Sequence, residues 1–553
     1  MRRAGVAAAL VVATVLLAGC ATIPTSGDVQ AGPTQAADAP EVVLVPAAPA
    51  RGETQLQIVQ GFIAAAAGQQ NGYAIARKFL TPAFAKTWKP RARVLVHEDS
   101  LTYRQGAPTA VTASVPATAQ VDASGAFAML PAPQPTALRF TLARIAGEWR
   151  IDHAPDGVVL GQDYFGHVFQ TRAVQYFTPD YEREVPDLRW FPVGRLSPTD
   201  VVKALLAGPA APIRPPVVAT AFPHGTRTAG VDVTNGVATV ALRTGAAVPS
   251  KQVLQRMKTQ LVDTLTGLDG IAQVQLSVNG ANLAVVGSSL RPSGPAAAPL
   301  VLRGSTLGYL AGSRLTAETT LGPRLVDLKP AAVTISTRQH LAAVLGSAGV
   351  SVVTPTGSTV VDKGSDLVAP TLDQDGWTYS ASRSDPTQLG AFDTKGHQSQ
   401  LLTGLTTTAS NELNAIEVSP DGTRMLVLSQ GDDGPKAFVA GIVRGSDGTP
   451  TGLTDARYPV TLPAGTAIDA TWVDTGSVAV LESDPNGDQM TLQSLGGEAR
   501  PLGRLQNAVA VVGGSGQDDL RALLSNGDLA QLDNGVWQAL QPSTDAALLA
   551  VQR

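Results

Sequence analysis

Cysteine is almost absent, with Cys20 the single example in 553 residues. The chain therefore has no internal disulfide and no thiolate framework for a metal. Charge is scarce as well. Asp, Glu, Lys and Arg make up 16% of the residues, and 41 basic against 45 acidic side chains leave a net charge of −4. That balance excludes the basic footprint of a nucleic-acid binder and a polybasic membrane contact. No glycine loop ending in lysine cradles a nucleotide phosphate. The six histidines, His97, His153, His167, His224, His340 and His397, never fall three or four apart, so zinc is not expected. Gly513-Gly514-Ser515-Gly516 lacks the last glycine of a nucleophile elbow, because Gln517 stands there. Asp373-Gln374-Asp375-Gly376 and Asp484-Pro485-Asn486-Gly487-Asp488 are acidic enough for calcium. Neither is an EF-hand: Thr371 occupies the first ligand position of one and no glutamate closes the loop. Both read as turns.

Long apolar runs are also lacking, save one. Ala4 to Gly19 is apolar except for Thr14 and follows Arg2 and Arg3. Sixteen helical residues span roughly 24 Å, short of a hydrocarbon core of about 30 Å, so the segment is a signal-peptide core rather than a span. Leu17, Ala18 and Gly19 directly before Cys20 resemble the bacterial lipobox. The resemblance implies a leader over 1–19 and a mature chain beginning at Cys20. Its sulfur would carry a diacylglycerol and its new amino group a palmitate. An ordinary secretory signal with an incidental cysteine is the alternative.

Glycine (55) and proline (39) together are about a sixth of the chain, above the usual 12% or so. Turns on that scale predict a β-rich protein, and the length allows about three or four domains. Residues 20–52 read as the lipidated cysteine and a flexible tether, reaching about 30 Å if random and roughly 90 Å if extended by its prolines. Within 53–160, Leu56, Val59, Phe62, Ile63 and Ala66 sit at helical spacing, and a second short helix is expected over Asn71 to Leu80. Short strands follow at Arg93 to Val96, Ala110 to Val115, Ala117 to Val121 and Ala126 to Leu130. Leu138, Phe140 and Leu142 then alternate with polar neighbours before Trp149-Arg150-Ile151. Helices first and a curved sheet after resemble the NTF2-like α+β cone. His97, Glu98, Asp99 and His153 are its only candidates for chemistry, and solvated loop residues are the plainer reading.

Over 161–290, Ser197-Pro198-Thr199-Asp200 predicts a helix start with a hydroxyl N-cap, and Gly208-Pro209 a stop. Asn235-Gly236 between two alternating runs predicts a tight hairpin. A helix through Val253, Met257, Leu261 and Leu265 leads to a strand at Val274 to Val278. The series Tyr176-Phe177, Leu205 to Pro209, Phe222-Pro223-His224-Gly225-Thr226, Asn235-Gly236, Thr264 to Gly267 and Val278-Asn279-Gly280 resembles a GerMN domain, an α/β module. After a proline-rich linker from Arg291 to Pro299, strand cores recur at Val333, Val368, Ile416, Ile468 and Val509. The intervals are 35, 48, 52 and 41 residues, a mean of 44, the spacing of four-stranded propeller blades. Residues 300–553 thus predict a β-propeller of about six blades, with five or seven also compatible. Val418-Ser419-Pro420-Asp421-Gly422-Thr423-Arg424 resembles the turn of a TolB-type blade.

A lipobox, an NTF2-like α+β domain, a GerMN domain and a C-terminal β-propeller in this order resemble the LpqB lipoproteins of actinobacteria. The resemblance implies a multidomain, β-rich protein lipid-anchored on the extracytoplasmic face of the cell membrane. It implies a non-enzymatic accessory whose partner is the extracellular domain of a sensor histidine kinase, MtrB of the MtrA–MtrB two-component system. No catalytic, cofactor, metal, nucleotide or nucleic-acid site is expected. A cell-envelope hydrolase or glycan-binding protein working at the propeller mouth or the NTF2-like cone is the competing reading, and a solute-binding scaffold a third.

Overall fold

The computed structural model describes residues 46–553 except 69, 131–134, 194–196, 246–248, 295–297, 337, 386, 388, 400–411, 534 and 541–543. The lipobox residues Leu17, Ala18 and Gly19, the lipidation site Cys20 and most of the 20–52 tether lie outside the described residues.

The first helix, Gln55–Ala66, opens on a reciprocal cap: the Gln57 amide donates to Thr54 Oγ1 at 3.3 Å and the Thr54 amide to Gln57 Oε1 at 2.9 Å. It buries Ile58, Val59, Phe62, Ala65 and Ala66, while Leu56 and Ile63 are only partly covered. The second helix is shorter than predicted. It spans Gln70–Arg77, and Asn71, Gly72 and Tyr73 take left-handed φ of 48, 67 and 64°. Tyr73 is buried, and its ring centroid lies 5.9 Å from that of Trp88.

The sheet beside these helices runs Glu148–His153, Pro135–Ile145, Ala110–Asp122, Arg93–His97, Val158–Gly161, with Thr102–Gln105 and Phe127–Met129 added to the long central strand. Sequence divides that strand at Pro116; the structure does not. Partners change there: pairing to Pro135–Ile145 ends at Pro116, and pairing to Arg93–His97 begins at Ala117. A residue without an amide hydrogen fits where the ladder switches sides. Leu138, Phe140 and Leu142 face inward as their alternation requires. The interior is filled by Phe62, Trp88 and Phe140, with Phe62 edge-on to Trp88 at 5.1 Å and to Phe140 at 6.1 Å. A void of about 20 Å³ remains, room for about one water.

A two-stranded hairpin, Phe169–Phe177 with Glu184–Pro192, leads to a four-stranded sheet. Arg227–Thr234 and Val237–Arg243 turn on Asn235 and Gly236 at φ 51 and 78°, the geometry that Asn-Gly favours. Helix Lys251–Leu265, capped by Ser250, then crosses over to Gln273–Val278, which pairs in parallel with Val237–Arg243. Helix Pro198–Leu206 begins as predicted, with proline at its first position. Its cap differs from the prediction: the Ser197 hydroxyl makes no capping bond, and Asp200 instead pairs with Lys203 at 3.1 Å and Arg91 at 3.3 Å.

From Leu300 onward the chain forms sheets around a ring, antiparallel except where Leu548–Gln552 pairs in parallel with Ala332–Ser336. The first strands of successive sheets touch in turn: Ala332–Ser336, Thr371–Leu372, Glu412–Val418, Thr466–Trp472, Ala508–Val512, then Leu548–Gln552, which returns to Ala332–Ser336. Leu548–Gln552 also pairs with Leu300–Arg303, so a late strand completes the earliest sheet. Three of these first strands carry a one-residue bulge, at Asn414, Ile468 and Val509. The bulge turns Val509 outward, 49% exposed, so it marks the repeat without being a core residue. The core of the middle module does not end at its own boundary. Leu205, Val217, Met257 and Leu276 belong to one buried cluster with Leu426, Val439, Trp472 and Val480 of the propeller.

Candidate interaction site

The hairpin strand Glu184–Pro192 meets all three modules. Arg189, 1% exposed, reaches Ser124 Oγ at 2.6 Å, Asp187 Oδ2 at 2.6 Å and the Gly208 carbonyl at 2.9 Å. The next residue, Trp190, donates its amide to the Gly125 carbonyl at 2.8 Å and its indole N–H to Gly496 O of the propeller at 2.7 Å. Its ring lies 5.6 Å from that of Phe127 and 4.7 Å from that of Phe165. Two glycines permit these approaches. A Cβ on Gly125, at φ 82°, would stand 2.7 Å from the Trp190 carbonyl, and one on Gly441 would stand 2.5 Å from Pro212 O. The modules are thus packed as a block, not strung on loose connections. The linker joins in: Arg291 binds Glu182 through its amide and, at 2.8 Å, through its guanidinium.

Two clefts flank the hairpin where it faces the propeller. One, of about 810 Å³, lies between the turn Thr178–Arg183 and the loops after Leu372, Val418 and Val443. Asp373 organises its wall. One carboxylate oxygen accepts the amides of Asp375 at 2.9 Å and Trp377 at 2.8 Å, and the other accepts the Tyr379 hydroxyl at 2.9 Å and Arg444 at 2.5 Å. Burial alone would lower the Arg444 guanidinium, but the Asp373 charge outweighs it and holds it above its ordinary value. Burial, then the Asp373 charge, raises Asp375. The acidic run 373–376 is therefore a turn closed by an arginine. Asp484 is likewise held by Arg504 at 2.7 Å.

The second cleft, of about 750 Å³, is lined by Glu184 and Asp263. Burial, and then the neighbouring Asp263, push Glu184 up to about 8.

At the propeller axis, Glu417 is 4% exposed and ion-paired with Arg553. Asp469 is pushed to about 7 by burial, against the amides of Val511 and Ala470, each at 2.9 Å. Glu482 is 2% exposed, has no partner for either oxygen, and is pushed to about 7 by burial and by Asp484. A carboxyl ordinarily near 4.5 and raised to about 7 binds more protons folded than unfolded between those values. Its contribution is full below about 4.5 and lost as pH rises through 7. Thermal melts should therefore show stability falling from pH 5 to 7.5. Glu482→Gln should flatten part of that slope, worth about 1–2 kcal/mol. An unchanged slope would remove Glu482 from this role.

The residues singled out from sequence do not converge. His97, half-buried at the end of strand Arg93–His97, turns onto the Asp99 carbonyl at 2.8 Å beside exposed Glu98, while the His153 ring lies tilted 5.7 Å from that of Phe84. Among the described residues no group of three His, Cys, Asp or Glu is placed to hold a metal. Arg183, Arg189, Trp190 and Arg444 are not singled out by the sequence, and Trp377 only as part of the Asp375-Gly376-Trp377 turn. They carry no spacing signal, because the contacts that join Arg189 and Trp190 to other modules and Arg444 to Asp373 lie on distant segments.

Family models match three stretches: Lipoprotein LpqB, N-terminal domain over residues 48–166, Sporulation and spore germination over 174–284, and Lipoprotein LpqB beta-propeller domain over 312–548. The chain is 28% identical over 574 residues to Lipoprotein LpqB of Thermobifida fusca (strain YX), covering 90% of each chain. It is 25% identical over 575 residues to that of Bifidobacterium longum (strain NCC 2705), covering 99% of this chain and 97% of the other. With the protein of that name from Cutibacterium acnes, identity is 32% over 289 residues, spanning 50% of this chain and about half, 47%, of the relative.

Proposed function

Because this chain belongs to the LpqB family of lipoproteins, we propose that it is a non-enzymatic accessory, lipid-anchored through Cys20 on the extracytoplasmic face of the membrane. It would modulate a sensor histidine kinase of the MtrA–MtrB type by contact with that kinase's extracellular domain. The observation that best supports this reading is the three-module block around Arg189 and Trp190. A rigid body presents a composite surface without an ordering cost on binding. An acyl tether would raise the local concentration of a weak pair. Glu417 at the axis and Asp373 at its turn are each engaged by a structural arginine, as a scaffold requires. Among the described residues no helix is long and apolar enough to cross a membrane.

Deleting the protein should change phosphorylation of the kinase's response regulator, and the tagged full-length protein should retain the kinase from solubilised membranes. Unchanged phosphorylation in the deletion strain would sink the reading.

A further inference from the structure

We propose that the cleft between the Thr178–Arg183 turn and the propeller is a saccharide-binding site, with Trp377 as its stacking face and Arg183 and Asp375 as its hydrogen-bonding groups. This goes beyond the kinase reading and is independent of it.

Arg183 is the first reason. It is 4% exposed and lines the cleft, yet its Nε meets no acceptor among the described residues. A buried N–H without a partner is unfavourable, and a ligand oxygen reaching it would satisfy it. The position is not the accident of a loose loop. The Arg183 carbonyl accepts the Thr178 amide at 3.0 Å, its own amide donates to Thr178 Oγ1 at 3.1 Å, and Asp180 Oδ1 accepts the Glu182 amide at 3.0 Å. The turn is locked, and it holds the guanidinium in the wall.

The second reason is the chemistry opposite. The Asp375 side chain is 51% exposed on the same cleft, and its one ion-pair contact is Arg444 at 3.6 Å. Asp180 and Asp447 add further acceptors, and Gly422, Gly445 and Gly448 bring backbone close to the opening. Donors and acceptors therefore line the cleft together with a half-buried indole, Trp377. A free anion is disfavoured, because Asp180, Asp375 and Asp447 outnumber the cleft's cations that are not already claimed. An apolar peptide anchor finds little beyond Pro179, Pro216 and Trp377 to bury against. A hydroxyl both donates and accepts, and a sugar ring offers a C–H face to an aromatic. At about 810 Å³ the cleft has the size of a small-ligand pocket, enough for a short oligosaccharide.

The test uses the full-length protein in detergent and isothermal titration with three glycan probes: chitotetraose, maltoheptaose and muramidase-released peptidoglycan fragments. Pentalysine and inorganic phosphate serve as competing chemistries. Saturable binding of at least one glycan is expected, weakened about tenfold or more by Trp377→Ala and by Arg183→Lys, which keeps the charge and removes the Nε donor. Should Arg183→Lys fail to fold by its thermal melt, Asp375→Asn takes its place with the same expectation. The proposal is overturned if no glycan saturates by about 10 mM. It is equally overturned if glycan binding survives these substitutions unchanged, or if only pentalysine or phosphate binds.

Discussion

Replacing Arg424 by alanine should cost about 3–5 kcal/mol, the loss expected when one partner of a buried ion pair is removed. Arg424 is 1% exposed and pairs with Asp421, whose side chain is fully buried. The same guanidinium reaches the Thr475 carbonyl at 2.6 Å and lies 5.2 Å from the centre of the Trp472 ring. That indole donates to Glu417 O at 2.9 Å, so the arginine ties two neighbouring sheets of the propeller. Without it, Asp421 keeps only the Ser419 hydroxyl, the Thr423 hydroxyl and the Thr423 amide to answer its charge. The double variant Asp421→Asn, Arg424→Met should regain much of the loss, because it leaves no buried charge unanswered. Circular dichroism melts of the single and double variants check this. A single variant that melts with the wild type, or a double variant no better than the single, would contradict it.

Replacing Cys20 by alanine should move the protein wholly out of the membrane fraction and abolish complementation of a deletion strain. One acyl chain gives only marginal binding, so stable anchoring rests on the diacylglycerol and the palmitate together. Both need the one cysteine in the chain. Since Cys20 lies outside the described residues, this expectation comes from the sequence and the family alone. Fractionation with mass spectrometry of the mature terminus reads it directly. A membrane-bound, fully complementing Cys20→Ala protein would exclude the lipid anchor as the basis of function.

These outcomes differ in where their grounds can be read. The Asn235-Gly236 hairpin, the inward row Leu138, Phe140 and Leu142, and the Ser419 to Arg424 turn were all legible, because each is set by residues within a few positions of one another. Pro116 and the Asn71 to Tyr73 segment were misjudged for the converse reason. A proline is tolerated in mid-strand only when partners switch there, and three left-handed residues stand only when Tyr73 is buried against Trp88. Neither condition is local.

The chain's own order of residues determined the kind of protein: a β-rich, three-module lipoprotein. Tertiary structure alone decided which side chains share a surface. Trp190 reaches a carbonyl 306 positions away, and the cleft draws Arg183, Trp377 and Arg444 from three separate segments. Periodicity and turn chemistry are written in neighbours, whereas these encounters arise only when buried apolar faces close on one another and bring remote polar groups within bonding distance.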